Sequence, residues 1–421
     1  MELHNDTPFH VLDFGSVDNR GQPFHVVVLR STFEVSDDGV LRLAEEPSPL
    51  VMADELYGNV GSSSVKQESD LAPFKPKCDV VVLGDAIAPG EKPARRFQTG
   101  ITLRRKGNIL LDKRVMVTGP RYWKQPVIPL SPWKLTEPEP IQSLPMRYEY
   151  AYGGECRVNQ GDSATKRVAR KYLLKPEQRA EHPEGNAKAP VAHTCFGANT
   201  VGKGYMERWY LNAKRLSRVP APQIESLNDP IKTLGKSYTP QGFGILAKAC
   251  ASRISFAGKM DDAFIKSGKS LPEDFDFAFW NGVPADMQIP WLEGTEEVKL
   301  TNMGIPQAFV LPEHKICAEV IYRDRQMAGL DFNCDTLIIN TEQKTVSLVY
   351  RLKLLLTPEI QSLNVQRLSV KERDILLEHV RSVNRQVYPR ATDSLIGAGQ
   401  TSSASSSAPQ VPSLNGREVF R

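Results

Sequence analysis

The sequence predicts a β-rich α+β fold. It reads as many short antiparallel strands in a sandwich- or barrel-like domain, with a helical insertion near 160–180, a C-terminal helix and a flexible tail. Three observations carry this. Apolar residues alternate along several runs: in "FHVVVLRSTFEV" Val27, Leu29, Phe33 and Val35 share one face of an extended strand. Proline and glycine are plentiful, at 31 and 29 in the whole chain, and they recur every few residues between 73 and 145, which suits short strands better than long helices. Helical spacing is confined to two places, "TKRVARKYLLKPEQRA" and "SVKERDILLEHVRSVNRQV".

Taken in order, residues 1–155 form the N-terminal β-rich part. Asp37, Asp38 and Gly39 turn the first long strand into "VLRL", and Lys106-Gly107-Asn108 sits at the bend of a second hairpin in "GITLRRKGNILLDKRVMVTG". "MRYEYAYGGE" (146–155) reads as a strand with Tyr148, Tyr150 and Tyr152 on one face and Arg147 beside Glu149 on the other. Gly153-Gly154 then turns the chain. Residues 156–218 are a basic, partly helical insertion. Residues 219–351 hold the remainder of the β-rich domain: Pro/Gly/aromatic loops to about 295, then a hairpin in "DTLIINTEQKTVSLVYRLKL" with its turn at Asn340 to Lys344. Residues 352–390 are a C-terminal helical segment. There Ser369 and Glu372 make a capping box, and Leu376, Val380, Val383 and Val387 make a stripe at helical spacing. Residues 391–421, rich in Ser, Gly and Ala, lack the large apolar residues needed to order a tail.

With 40% hydrophobic and 24% charged residues the composition is that of a soluble protein. No apolar run approaches the ~18 residues of a membrane span, and no basic start precedes an apolar block, so a cytoplasmic location is expected. Six widely spaced cysteines fit a reducing compartment and small buried hydrophobes. The net charge of +4 is unevenly placed. Residues 161–220 hold twelve Lys or Arg against five Asp or Glu, a balance of +7, which leaves −3 for the rest. Arg167, Arg170, Lys171 and Arg179 lead this basic run, which suits an acidic protein surface. Nucleic acid fits less well, because only Tyr172 interleaves with the basic residues.

Catalytic signatures are missing: there is no phosphate loop, H-E-x-x-H, G-x-S-x-G or dinucleotide fingerprint. No two of the seven histidines share a metal-ligand spacing, so no metal and no cofactor is expected. His193 and Cys195 on one strand suggest a thiol–imidazole pair only weakly. The alternative to a binding protein is a hydrolase-like enzyme using carboxylates such as Glu149 or Asp276; a structural part of a secreted particle is a third reading.

Several separated motifs, in this order, carry a resemblance. They are "VMADELYG" with Asp54 and Tyr57, "SSSVKQESDLAPFKPKCDVVVLGDAIAP", and "LPMRYEYAYGG" with Arg147, Tyr148, Tyr152, Gly153 and Gly154. "NTVGKGYM" with Gly202 and Gly204, "IESLNDP", "GFGIL", "DFDFAFWNGVPADMQIPWLEG" and the closing hairpin follow. From Asn5 to about Arg351 the chain resembles a bacterial family of type VI secretion accessory proteins. Thr200 and Ile245 stand where that family has prolines. The resemblance implies a non-enzymatic adaptor or chaperone that holds a cognate toxic effector and promotes its loading onto the VgrG/PAAR spike. An adaptor interface needs Arg and aromatic anchors. Two regions offer them: the basic run, and the loops with Phe277, Phe279, Trp280 and Trp291.

Overall fold

A computed structural model describes residues 1–126, 131–304 and 308–387. The fold is strand-rich, as the alternation predicts. The largest sheet runs His10–Val17, Pro23–Val35, Thr345–Leu355, Asn333–Asn340, Cys78–Leu83 and Gln288–Ile289, with Leu41–Leu43 also paired to Pro23–Val35. A five-stranded antiparallel sheet runs Ile224–Ser226, Asn108–Thr118, Arg96–Arg105, Glu297–Thr301 and Ala308–Val310. Its inner residues Ile101, Leu103, Val115, Val117, Val298 and Leu300 share one continuous core with Val27, Leu29, Val80 and Leu337 of the large sheet. The two sheets thus pack in a sandwich-like arrangement. Both draw strands from before 155 and after 219, so the expected N-terminal part and remainder are one folded body.

All three expected hairpins are present, joining Pro23–Val35 to Leu41–Leu43, Arg96–Arg105 to Asn108–Thr118 and Asn333–Asn340 to Thr345–Leu355. Lys106 and Gly107 both take positive φ, 50° and 81°, as a two-residue hairpin turn requires. Not all pairing is antiparallel, however. Cys78–Leu83 runs parallel to Asn333–Asn340, and every residue of it is buried. A continuous apolar run such as "CDVVVL" is what a strand covered on both faces needs.

Two expectations require correction. Residues 146–155 do not form one strand: Tyr148–Tyr150 is a 3-10 turn, followed by the short strands Tyr152–Gly153 and Glu155–Val158. Tyr148 therefore enters the main core, while Tyr152 packs edge-to-face on Phe196 and Tyr238 in a separate cluster. Residues 352–368 are not helical: 352–355 end the strand Thr345–Leu355, and Ile360–Leu368 is a further strand. Ile360–Leu368 pairs with Glu2–Asn5 and Lys315–Tyr322, in a four-stranded sheet completed by Met327–Asp331. The helix itself runs Val370–Val387, with the Ser369–Glu372 capping box formed (Ser369 N–H to Glu372, 2.8 Å). Leu376 and Val383 are half-buried and Val380 is buried; the side chain of Val387 and the tail 391–421 lie outside the described residues.

Buried ion pairs pin the loops to this framework. Lys75 Nζ lies 2.8 Å from Asp79, which also accepts from Asn281 Nδ2 and the Gly282 N–H, each at 2.9 Å. Arg351 pairs with Asp335 and donates to the Asp70 carbonyl at 2.7 Å, while Arg30 reaches Asp70 and Gln67. Arg253 holds Glu68 and the carbonyls of Leu246 and Phe279. These groups lie within or beside the motifs at 62–89, 242–246 and 274–294. Unpaired, each would carry a desolvation penalty of several kcal/mol. The motifs are thus tied together by charge pairing as well as apolar packing.

Candidate partner-binding surface

The motif residues serve the fold. Gly153 and Gly204 lie opposite each other in a two-residue parallel pairing, Tyr152 to Lys203 and Gly153 to Gly204. A Cβ on Gly153 (φ 154°) would stand 2.1 Å from the Asn199 carbonyl oxygen, and one on Gly204 (φ 94°) 2.7 Å from Pro222 Cδ. A Cβ on Gly154 would stand 2.7 Å from the Gly202 carbonyl oxygen, and one on Gly202 2.7 Å from the Ala151 carbonyl oxygen. These glycines permit backbone contact between two motifs; they do not end a strand at a tight turn. Asn199 fastens the contact by donating to the carbonyls of Tyr148 (2.9 Å) and Tyr152 (3.0 Å). The Arg147 guanidinium lies 4.1 Å above the Tyr57 ring, so it does not face Glu149, and Asp54 accepts from Lys248 and the Ser69 N–H.

The two carboxylates of the enzyme reading are occupied. Glu149 accepts from Ser64 N–H at 2.8 Å and from Ser64 Oγ at 2.6 Å; Asp276 caps the turn Phe277–Trp280 by accepting from Ala278 N–H at 2.8 Å. Neither lines the open groove of about 1190 Å³ on the outer face of the five-stranded sheet. Among the described residues no group of His, Cys, Asp and Glu could hold a metal ion, and no helix is long and apolar enough to cross a membrane.

The aromatic loops form a joint. Phe277 packs on Phe24, Phe74 and Phe275, Phe74 meets Trp291 edge-on at 6.0 Å, and Phe279 meets Trp280 at 5.5 Å. All four candidate rings are half-buried. Trp291 Nε1 donates to the Lys75 carbonyl, and Lys353 Nζ sits 4.2 Å over Phe24. Rings interlocked in this way offer little free area to a partner.

The basic insertion differs. Its helical content comes in pieces, the 3-10 turns Ser163–Arg167 and Arg170–Tyr172 and the short helices Pro176–Ala180 and Arg208–Lys214. A separate small core of Cys156, Val158, Ala164, Val168, Trp209 and Ala213 holds them. Tyr172 stacks on Trp209 at 5.6 Å and 22°, and Trp209 meets Tyr210 edge-on. Upon this ladder sits an exposed run: Arg170, Lys171 with its ammonium 4.9 Å over the Tyr172 ring, Tyr172 itself and Leu173. Arg167 is partly committed, since its Nε donates to the Ala213 carbonyl at 2.7 Å; Arg179 is half-buried, with Nε enclosed. Of the four predicted cations, Arg170 and Lys171 are the free pair.

One cluster is not visible in the sequence, because its two histidines stand eleven residues apart and Glu155 lies 38 residues before His193. His193 Nε2 lies 2.8 Å from Glu155 and its Nδ1 3.4 Å from His182 Nε2, while His182 Nδ1 accepts the Glu184 N–H at 3.2 Å. All three contacts are satisfied together only when each ring is neutral with its proton on Nε2. The register across Glu155–Val158 and Ala192–Cys195 brings His193 beside Glu155, and His182 reaches it from outside the pair, so His193 is engaged with Glu155 and His182 rather than with Cys195. Burial pushes the Cys195 thiol up. Burial, then His193, hold His182 below its ordinary value, against Glu184 and Glu155, with Arg157 adding to the depression. The cation is disfavoured in the fold, so this clasp holds above pH ~6.5 and weakens as pH falls through the lower folded value. Limited proteolysis between 170 and 188, normalised to a peptide of the same sequence, is expected to accelerate from pH 7.5 to 5.5 in the native chain. A His182→Phe variant is expected to lose that acceleration; equal acceleration in both would reject the clasp.

No curated protein and no solved structure matches the chain significantly. A family model does match, over residues 20–351, which takes in both halves of the sandwich and the insertion between them. The chain therefore belongs to the family described as an uncharacterized protein conserved in bacteria (DUF2169).

Proposed function

We propose that this protein is a non-enzymatic adaptor, or chaperone, that binds a cognate effector protein and promotes its loading onto the type VI secretion spike, VgrG/PAAR. The observation that carries the proposal is the exposed run Arg170–Lys171–Tyr172–Leu173, mounted on the Tyr172–Trp209–Tyr210 ladder. It joins cationic, aromatic and aliphatic anchors on a supported surface, in a segment carrying +7 beside a remainder of −3. The two carboxylates of the hydrolase reading make structural hydrogen bonds, which favours binding over catalysis.

The test is co-purification from cells with an active secretion system, with an effector or spike component expected in the eluate. Recovery of neither would remove the proposal. Charge reversal then locates the surface. With the recovered partner, Arg170→Glu/Lys171→Glu is expected to slow association roughly tenfold at low salt, with a smaller effect near 0.5 M salt where charges are screened. Unchanged rates at both salt concentrations would move the interface elsewhere.

A further inference from the structure

The C-terminal helix Val370–Val387 covers an open sheet edge with a defined set of side chains. The strand Met327–Asp331 ends the four-stranded sheet and, among the described residues, pairs on one side only, with Lys315–Tyr322. On its free side Asn384 Nδ2 donates to the Met327 carbonyl at 2.8 Å, and Asn384 Oδ1 accepts the Met327 N–H at 2.9 Å. One side-chain amide thus supplies the donor and acceptor that another strand would bring to a bare edge. At the other end Arg373 grips Asp331 through Nε at 2.9 Å and through Nη2. Between the two clamps Leu377 fills the notch left by Gly329, where a Cβ would stand 2.7 Å from Leu377 Cδ2, and Val380 is 7% exposed. Arg373, Leu377, Val380 and Asn384 stand at i, i+4, i+7 and i+11, a single helical stripe.

Outside the stripe Leu376 and Val383 are half-buried, and much of the rest of the helix is wet, with Val370 41% and Ile375 61% exposed. A contact resting on two polar clamps and a narrow apolar stripe opens at lower cost than the core strands. The hairpin it covers lies inside the residues shared with the family, whereas the helix lies beyond them. We infer that the Met327–Asp331 edge is a docking site for an amphipathic helix, filled in cis by Val370–Val387. It accepts in exchange a partner helix that presents Arg, Leu, Val and Asn at that spacing. The cis occupant defines the chemistry: a carboxylate at one end, a glycine notch in the middle and an unpaired strand amide and carbonyl at the other end.

The experiment uses the full chain carrying Leu377→Asp and Asn384→Ala, which undock the helix, and a fluorescent peptide of residues 369–387 with the native sequence. The peptide is expected to bind this variant at least ~100-fold more tightly than the native chain, where the tethered helix competes at an effective concentration on the order of millimolar. Adding Asp331→Arg to the variant is expected to abolish binding, and a peptide carrying Arg373→Asp is expected to restore it. Failure of the peptide to bind either protein, or binding indifferent to Asp331→Arg, would overturn the inference. Hydrogen exchange on the native chain guards against a misfolded variant. Amides of 370–385 and Met327 are expected to exchange together, ahead of Cys78–Leu83 and Asn333–Asn340. Exchange of the helix only in step with those core strands would equally overturn it.

Discussion

Replacing Arg351 by Met is expected to destabilise the protein by about 3–5 kcal/mol, the cost of stranding one member of a buried ion pair. Arg351 and Asp335 are 3% and 2% exposed at their side chains, so neither has water to fall back on. Removing the guanidinium leaves Asp335 against Lys75 and Thr336 alone and leaves the Asp70 carbonyl without its donor. Burial already pushes the Asp335 carboxyl up against the opposing pull of Arg351 and Lys75, so loss of Arg351 drives it further toward the neutral form. Adding Asp335→Leu to the variant is expected to recover much of the loss, because a buried pair exchanged for apolar groups is often near neutral. The control is Arg323→Ala. Arg323 faces Glu359 with both side chains well over half exposed, and an exposed pair contributes at most about 1 kcal/mol. Denaturant titration of the four proteins decides the matter. An Arg351→Met protein as stable as the Arg323→Ala control would mean that the buried network does not hold the motif loops.

That network also marks the boundary of what the sequence made legible. Alternation found the hairpins because each has one apolar face, and the 369–387 helix because its cap and stripe are local signals. In "EIQSLNVQRL" the alternation of Leu363 and Val365 is weak, so Ile360–Leu368 is hard to separate in sequence from the helix that follows it. The tyrosines of 146–152 have a strand's period, yet tertiary bonds prevail there. Asn199 captures the Tyr148 and Tyr152 carbonyls, and a 3-10 turn sends the two rings into different clusters. Charge concentration pointed to the insertion, but not to which cations are free, because Arg167 is engaged by a carbonyl 46 residues away. The His182–His193–Glu155 clasp and the Arg373–Asn384 stripe likewise depend on pairing across the fold, which one sequence without its structure does not display.

Part of the destabilisation expected in acid comes from one buried histidine, His314. His314 is 6% exposed, its Nε2 3.1 Å from Tyr350 Oη and its ring against Phe33. Burial, then the charges of Arg367 and Lys315, lower its pKa from 6.5 to about 4. The folded state therefore keeps the ring neutral in a range where the unfolded chain protonates it. Stability from this group is complete above pH ~6.5 and declines as pH falls toward the folded value, because the unfolded state then binds the extra proton. Across a shift of that size the loss reaches about 3 kcal/mol by pH ~4, at 1.36 kcal/mol for each pKa unit. Carboxylates held low by their partners, such as Asp331 beside Arg373, add their own loss in acid. For that reason the quantity to measure is the difference between the native chain and His314→Phe. The variant loses the Tyr350 contact and so carries a constant offset, but it has nothing to titrate at that position. Chemical denaturation at half-unit steps from pH 7.5 to 4 should show the native chain losing about 3 kcal/mol more than the variant, nearly all of it below pH 6.5. A difference that stays flat over the whole range would show that the imidazole accepts its proton in place, with the core around Phe33 and Tyr350 open to water.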